Sequence, residues 1–280
     1  MMWALRPVAL LFLVCFAMAT AAPAPPAAAQ QISTWEAIRE RGSLRIGATQ
    51  APPWYLKDPQ SGAWSGLGPA VGRAMAETLG VDLEVVEVTW GNAIAALQAD
   101  KIDIMFVLDA TPERALAVDF PAAPLLYYAL AVIVDDAMAV ETWEDLNRPE
   151  ITIAVTQGTT IDSYVTEHCP KAEILRFPTN SENVAAFQSG RADAASLFHP
   201  PLIALQKKMG KGKIVLPTPI RASASSAAVR REPDKTWRDW VSTAIAYYYE
   251  TNQTQVWYDQ FLQEFGVDPN ATPPIRKELW

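Results

Sequence analysis

Apolar and polar positions fall in short blocks along this chain, and the period of the pattern switches repeatedly between that of a helix and that of a strand. Ser33-Thr34 offers a hydroxyl cap for a helix running to Arg41, and Gly42 stops it. Leu44 to Ala48 then alternates as a short strand, Pro52-Pro53-Trp54-Tyr55 turns the chain, and Ser61-Gly62 turns it again. Leu67 to Leu79 carries apolar residues at helical spacing and closes on Gly80. The pattern predicts a strand over Asp82 to Val88, a helix over Asn92 to Ala99 and a strand over Ile102 to Leu108. A helix from Pro112 to Val118 and an apolar strand from Tyr127 to Val134 complete the series.

A second, similar series begins with strand Ile151 to Val155, and Gly158-Thr159-Thr160 opens a helix to His168. Strand Glu173 to Phe177, helix Ser181 to Ser189, strand Ala192 to Phe198 and helix Pro200 to Met209 follow. Ile214 to Val229 reads as extended chain returning from this unit, and Lys235 to Phe265 supplies two amphipathic helices. Strands alternating with helices through short turns predict α/β layers joined by right-handed crossovers. Two such units with the chain passing twice between them imply a hinge and a cleft, the usual place for a small ligand.

The first thirty residues or so carry a different message. Arg6 gives a positive region, Val8 to Met18 an apolar stretch of about eleven residues, and Ala27-Ala28-Ala29 a small-residue cleavage site. That stretch is well short of the ~20 residues needed to span a bilayer. Residues 1–29 are therefore expected to be a cleaved signal peptide, with 30–32 a tether. Cys15 lacks the small residue that a lipidation site wants before its Cys, which points to a free periplasmic protein. About 250 residues then remain, enough for two lobes. A net charge of −8 argues against a nucleic-acid or anionic-membrane surface. With Cys169 the only remaining cysteine and two histidines in the chain, neither an intrachain disulfide nor a structural zinc site is expected, and no cofactor.

Several segments in order resemble a known family: Gly42-Ser43-Leu44-Arg45-Ile46-Gly47, Pro52-Pro53-Trp54, Trp90 ahead of Ala93-Ile94-Ala95-Ala96-Leu97, and Lys101-Ile102-Asp103-Ile104. Thr111-Pro112-Glu113-Arg114 with Asp119-Phe120, Gln157-Gly158-Thr159-Thr160 and Gly190-Arg191-Ala192-Asp193-Ala194 continue it. Each is weak alone, but in this order and spacing they resemble the periplasmic solute-binding proteins of amino-acid-type (polar amino acid) ABC importers, bacterial extracellular solute-binding proteins of family 3. The resemblance implies a two-lobed, type II periplasmic-binding-protein-like α/β fold with an interlobe cleft. It implies lobe I at 33–125 plus 223–280, lobe II at 130–220, and a hinge at 126–129 and 221–222. A monomer that serves a membrane permease is implied too.

The resemblance also places a site. Arg114 would hold a ligand carboxylate through a bidentate fork, although from the residues alone a surface Arg pairing with Glu113 is the favoured reading, which the resemblance reverses. Thr159 and Thr160 begin a helix whose free N–H groups favour an anion, after Gln157; simple N-capping would explain them as well. Trp54 and Trp90 resemble the aromatic residues that sandwich the ligand, against the ordinary alternative of core tryptophans. The departures are as informative. The loop Ala48-Thr49-Gln50-Ala51 lacks the acid that usually receives an ammonium group, and Phe198 stands where a second acid is usual. Asp109, in contrast, occupies a position where the family has Ser or Thr. It either receives an amine in their stead, neutralises Arg114, or merely caps the helix near Pro112. With Trp54, Trp90, Phe106 and Phe198 at plausible pocket positions, an aromatic or apolar-bodied ligand outside the standard α-amino acids is the favoured expectation.

Binding, not catalysis, is the expected activity. The rivals are an enzyme on the same scaffold, of the cyclohexadienyl-dehydratase kind, and a periplasmic sensor domain. His199 and Asp109 are the only acid–base candidates near the cleft.

Overall fold

The computed structural model describes residues 32–279. The expected signal segment and the first two tether residues lie outside the described residues. Helix α1 (Thr34–Arg41) starts on a capping box. Ser33 accepts the Glu36 N–H, Glu36 accepts the Ser33 N–H at 3.3 Å, and Gly42 closes the helix at φ 75°. Next come β1 (Ser43–Ala48), a hairpin of β2 (Leu56–Lys57) and β3 (Trp64–Ser65), α2 (Leu67–Leu79), β4 (Asp82–Glu87) and α3 (Ala93–Gln98). Then follow β5 (Ile104–Leu108), the single-turn α4 (Pro112–Ala115), β6 (Val118–Asp119) and the long β7 (Leu126–Val134). The second series is β8 (Thr152–Thr156), α5 (Thr160–His168), β9 (Glu173–Phe177), α6 (Asn180–Gln188), β10 (Ala194–Phe198), α7 (His199–Met209) and β11 (Lys213–Val215). The chain returns along β12 (Ala222–Arg230) and ends with α8 (Thr236–Glu250) and α9 (Gln253–Glu264).

Strand order is β4-β1-β5-β12-β7-β10-β8-β9. In one half β1 runs parallel to β4 and β5; in the other β8 runs parallel to β9 and β10. Between them, Leu126–Ala129 of β7 pairs antiparallel with Ala222–Ser225 of β12. Strand β7 continues to β10 and β12 continues to β5, so the chain crosses between the halves twice. The fold is two-lobed α/β. Every residue of β5 and β10 is buried, which is why both read as continuous apolar runs: strands covered on both faces have no polar side to show.

One backbone device recurs in both halves. Asp103 accepts the Arg45 N–H at 2.8 Å and donates its own N–H to the Arg45 carbonyl at 2.8 Å; Asp193 makes the same ring with Thr152 at 2.8 and 2.9 Å. Each stitches the turn before a central strand to the first strand of its half. Asp103 is also buried against Arg41 at 2.5 Å and Arg45 at 2.7 Å, and its carbonyl accepts the indole N–H of the fully buried Trp237 at 3.0 Å.

The central strands expected from Ile102 and Ala192 begin two residues later, at Ile104 and Ala194, and one helix is cut shorter still. The helix expected from Pro112 to Val118 ends at Ala115, and Val118 instead pairs with Arg230 in the sheet, fully buried, while Leu116 is left exposed. Burial of a β-branched side chain in the ladder outweighs continuing the helix.

Candidate functional site

The site is built where the end of β5 and the start of β7 face the start of α5 and the end of β10. Strand β5 is interrupted at Val107, which adopts φ 58°. Ser226 of β12 pairs with Leu108 and Ala227 with Phe106, leaving Val107 as the extra residue of a β-bulge. A β-branched residue in the left-handed region is a strained arrangement, and bulges commonly re-aim side chains beside functional sites. Here the bulge puts Val107, Leu108 and Asp109 in succession along one cavity wall and leaves Phe106 facing the core.

Asp109 is 7% exposed. One carboxyl oxygen accepts the Tyr128 hydroxyl from β7 and the other accepts the Thr160 hydroxyl from α5, so it ties together three segments. Burial, and then the neighbouring Asp109 charge, push the Tyr128 phenol well above its ordinary range, which keeps it a donor. The cap reading of Asp109 is overturned: Thr111 caps α4, accepting the Arg114 N–H at 3.2 Å.

That one-turn helix folds Arg114 back over the cleft. Its guanidinium donates to the Asp109 carbonyl and to the Gly158 carbonyl, each at 2.9 Å. Glu113 is not its partner, so the surface-pair reading fails too. Opposite it, Thr159 caps α5, accepting the Asp162 N–H at 3.2 Å and donating to the Thr156 carbonyl at 2.7 Å. A buried polar chain supports this turn, Thr156 donating to Asn180 at 2.9 Å and Asn183 donating to Thr156 at 3.2 Å. Gly158 sits at φ 75° so close to Gly91 that a Cβ would lie 2.8 Å from the Gly91 Cα. Only glycine at 158 allows the halves this approach.

Aromatic side chains close the cavity, which measures about 40 Å³. Phe198 stacks on Tyr128 with ring centroids 3.6 Å apart, and Trp54 lies 6.1 Å from both Tyr128 and Tyr258. Trp90 meets the edge of Tyr55 at 6.0 Å. Of the residues predicted from sequence, Arg114, Thr159, Thr160, Trp54, Trp90, Asp109 and Phe198 all line this cavity. Phe106 does not; its ring is fully buried in the core and its carbonyl accepts the Tyr55 hydroxyl at 3.0 Å. Gln157 is exposed and lies outside the lining. Sequence reading missed Tyr128 and Asn180. The available signal was a pair of hydroxyl-bearing rings, Tyr127 and Tyr128, in an otherwise apolar strand.

His199 is buried, and its Nδ1 accepts the Ala129 N–H at 3.1 Å; burial holds it down to about 4. Burial raises the Cys169 thiol to about 11, leaving it unreactive in the core. Among the described residues no group of three or more His, Cys, Asp or Glu could hold a metal ion, and no helix is long and apolar enough to cross a membrane.

This fold and this site, with a basic side chain and a helix start facing each other across a cleft, define a ligand-capturing protein. The chain belongs to the bacterial extracellular solute-binding proteins, family 3, whose sequence profile it matches over residues 44–264. It is similar to the L-arginine-binding protein of Pseudomonas aeruginosa, 31% identical over 155 residues, 54% of this chain and 59% of that one. It is also similar to the cyclohexadienyl dehydratase of the same organism, 24% identical over 197 residues, 62% of this chain and 70% of that one. Among solved structures, an ancestral amino acid-binding protein, a precursor of cyclohexadienyl dehydratase, superimposes with a TM-score of 0.72 at 32% identity, covering 83% of this chain and 99% of that one.

Proposed function

We propose that this chain is the substrate-binding component of an ABC importer, capturing a small carboxylate-bearing molecule of amino-acid type in the periplasm and presenting it to a membrane permease. The observation that carries this reading is Arg114. Its guanidinium lies in the cavity wall beside the start of α5, and its hydrogen-bond partners are two carbonyls, with no carboxylate among them. A planar fork whose hydrogen-bond partners are neutral carbonyls suits a ligand carboxylate. Residues 33–125 with 223–280 would form lobe I and 130–220 lobe II. The paired stretches of β7 and β12 around 126–129 and 221–222 would form the hinge, and the protein would act as a monomer.

Binding energy drives the cycle in this reading. Ligand docks on Arg114, contacts from Thr159 and Thr160 then favour the closed arrangement, and closure creates the surface that the permease meets. The two acid–base candidates support binding over chemistry. His199 spends its Nδ1 on a backbone N–H, and Asp109 spends both oxygens on hydroxyls. Small-angle scattering tests the motion: the radius of gyration should fall on addition of the tightest-binding carboxylate from a ligand panel, and an unchanged profile at saturation would sink hinge closure. Recovery of that ligand chemically unaltered after prolonged incubation checks that no turnover occurs.

A further inference from the structure

Two hydrogen bonds cross the cleft with protein atoms at both ends. The Asp109 carboxyl, on the chain that leaves β5, accepts the hydroxyl of Thr160 at the start of α5. The Arg114 guanidinium of α4 donates to the Gly158 carbonyl at 2.9 Å. Each has a charged group at one end, which makes it stronger than a bond between neutral partners.

The first of the two is the better anchored. Asp109 is 7% exposed, and its other carboxyl oxygen accepts the hydroxyl of Tyr128, which is fully buried on β7. Strand β7 is one of the two on which the chain passes between the halves, and Tyr128 stacks there on Phe198 of β10. The crossing strand thus fixes the carboxyl in place and leaves one oxygen turned toward α5. On the opposite side Thr160 is released from capping, because Thr159 accepts the Asp162 N–H at 3.2 Å. The Thr160 hydroxyl serves Asp109 instead. We propose that Asp109 and Thr160 form a latch that draws the halves together by themselves, so that closed molecules are present before any solute arrives and capture completes a closure already begun. Asp109 is in this role a positioning residue, acting through the hinge. The inference rests on the hinge-closure reading above and adds the device that biases the hinge.

Small-angle scattering of the ligand-free protein tests the latch through Thr160, whose replacement leaves the helix cap in place. Thr160→Val keeps the shape of the side chain and deletes the hydroxyl; Thr160→Ser keeps the hydroxyl. Loss of a hydrogen bond to a carboxylate should shift the equilibrium roughly tenfold or more toward open molecules. The radius of gyration of ligand-free Thr160→Val should therefore exceed that of the wild type, with Thr160→Ser at the wild-type value. Asp109→Ala should be as expanded as Thr160→Val and decides the matter where that variant does not fold. The tightest-binding carboxylate of the ligand panel should compact Thr160→Val by more than it compacts the wild type. Equal ligand-free radii in the wild type, Thr160→Val and Asp109→Ala overturn the latch, and a ligand-driven fall in all three would leave hinge closure standing. Expansion of Thr160→Ser as large as that of Thr160→Val also overturns it, because the hydroxyl would then not be the cause. The expected ligand-free differences with no fall at saturation in any of the proteins would uphold the latch and sink ligand-driven closure alone.

Discussion

The two halves of this protein use the same backbone ring at Asp103 and at Asp193, but they set it in different surroundings. In the first half the carboxyl is buried under Arg41 and Arg45; in the second it is exposed and bonded to the Thr152 N–H. The shared geometry is a matter of connection, joining a turn to the neighbouring strand. The charge network is an addition of the first half, where Trp237 of α8 also closes over Asp103. The second half has its polar investment elsewhere, in the Thr156, Asn180 and Asn183 chain beneath the turn that opens α5. The lesson is that a motif can be held in common for its hydrogen bonds while its electrostatics diverge.

The largest expected effect breaks that comparison directly. Asp103→Asn leaves Arg41 and Arg45 crowded around a neutral group and should cost about 3–5 kcal/mol in urea unfolding. Asp193→Asn should cost about 1 kcal/mol, the worth of a hydrogen bond near solvent. Equal costs would mean that the arginines contribute nothing.

Next in size is a pH effect that His199 places in the second half. Unfolded His199 takes a proton near pH 6.5, but the buried ring holds it off until about 4. The unfolded state therefore binds the extra proton between those values, and stability falls as pH drops through that window, by about 3 kcal/mol in all. His199→Gln should flatten this slope in denaturation curves taken from pH 7 to pH 4. A slope that persists in the variant would assign it to other groups.

A smaller contrast lies at the meeting of the halves. Gly158→Ala places a methyl 2.8 Å from Gly91 at a positive φ, whereas a Cβ on Gly91 would sit 3.7 Å from the Gln157 carbonyl, an ordinary contact. The first should lower ligand affinity about tenfold or more and stability by about 1 kcal/mol; the second should change affinity by no more than about threefold. Calorimetry and thermal melts of the two variants side by side would distinguish them. Matched losses would show that contact at this point is not needed for capture.

Much of the fold was legible because its signals are local. Helix α2 runs over Leu67–Leu79 and stops at Gly80, where period and glycine placed it, and β9 occupies the predicted Glu173–Phe177. The site was half legible. Arg114 and Thr159 lie in motifs whose cap chemistry is written in adjacent residues, and both line the cavity. The Val107 bulge was not, because nothing in Ile104–Leu108 breaks the strand pattern; the extra residue exists only against β12. It explains why Phe106 was wrongly placed in the pocket. Tyr128 was missed for a related reason: its role depends on meeting Asp109, nineteen residues earlier, through tertiary contact.

The central claim is that a ligand carboxylate is captured by Arg114. Thermal melts of the wild type and Arg114→Ala against amino acids, betaines, amines and aromatic acids test it most directly, because a ligand that binds only the folded state raises its melting temperature. The account predicts that at least one carboxylate raises the wild-type Tm by several degrees and leaves Arg114→Ala unmoved. A ligand that stabilises both proteins equally, or a response confined to compounds without a carboxylate, would contradict it.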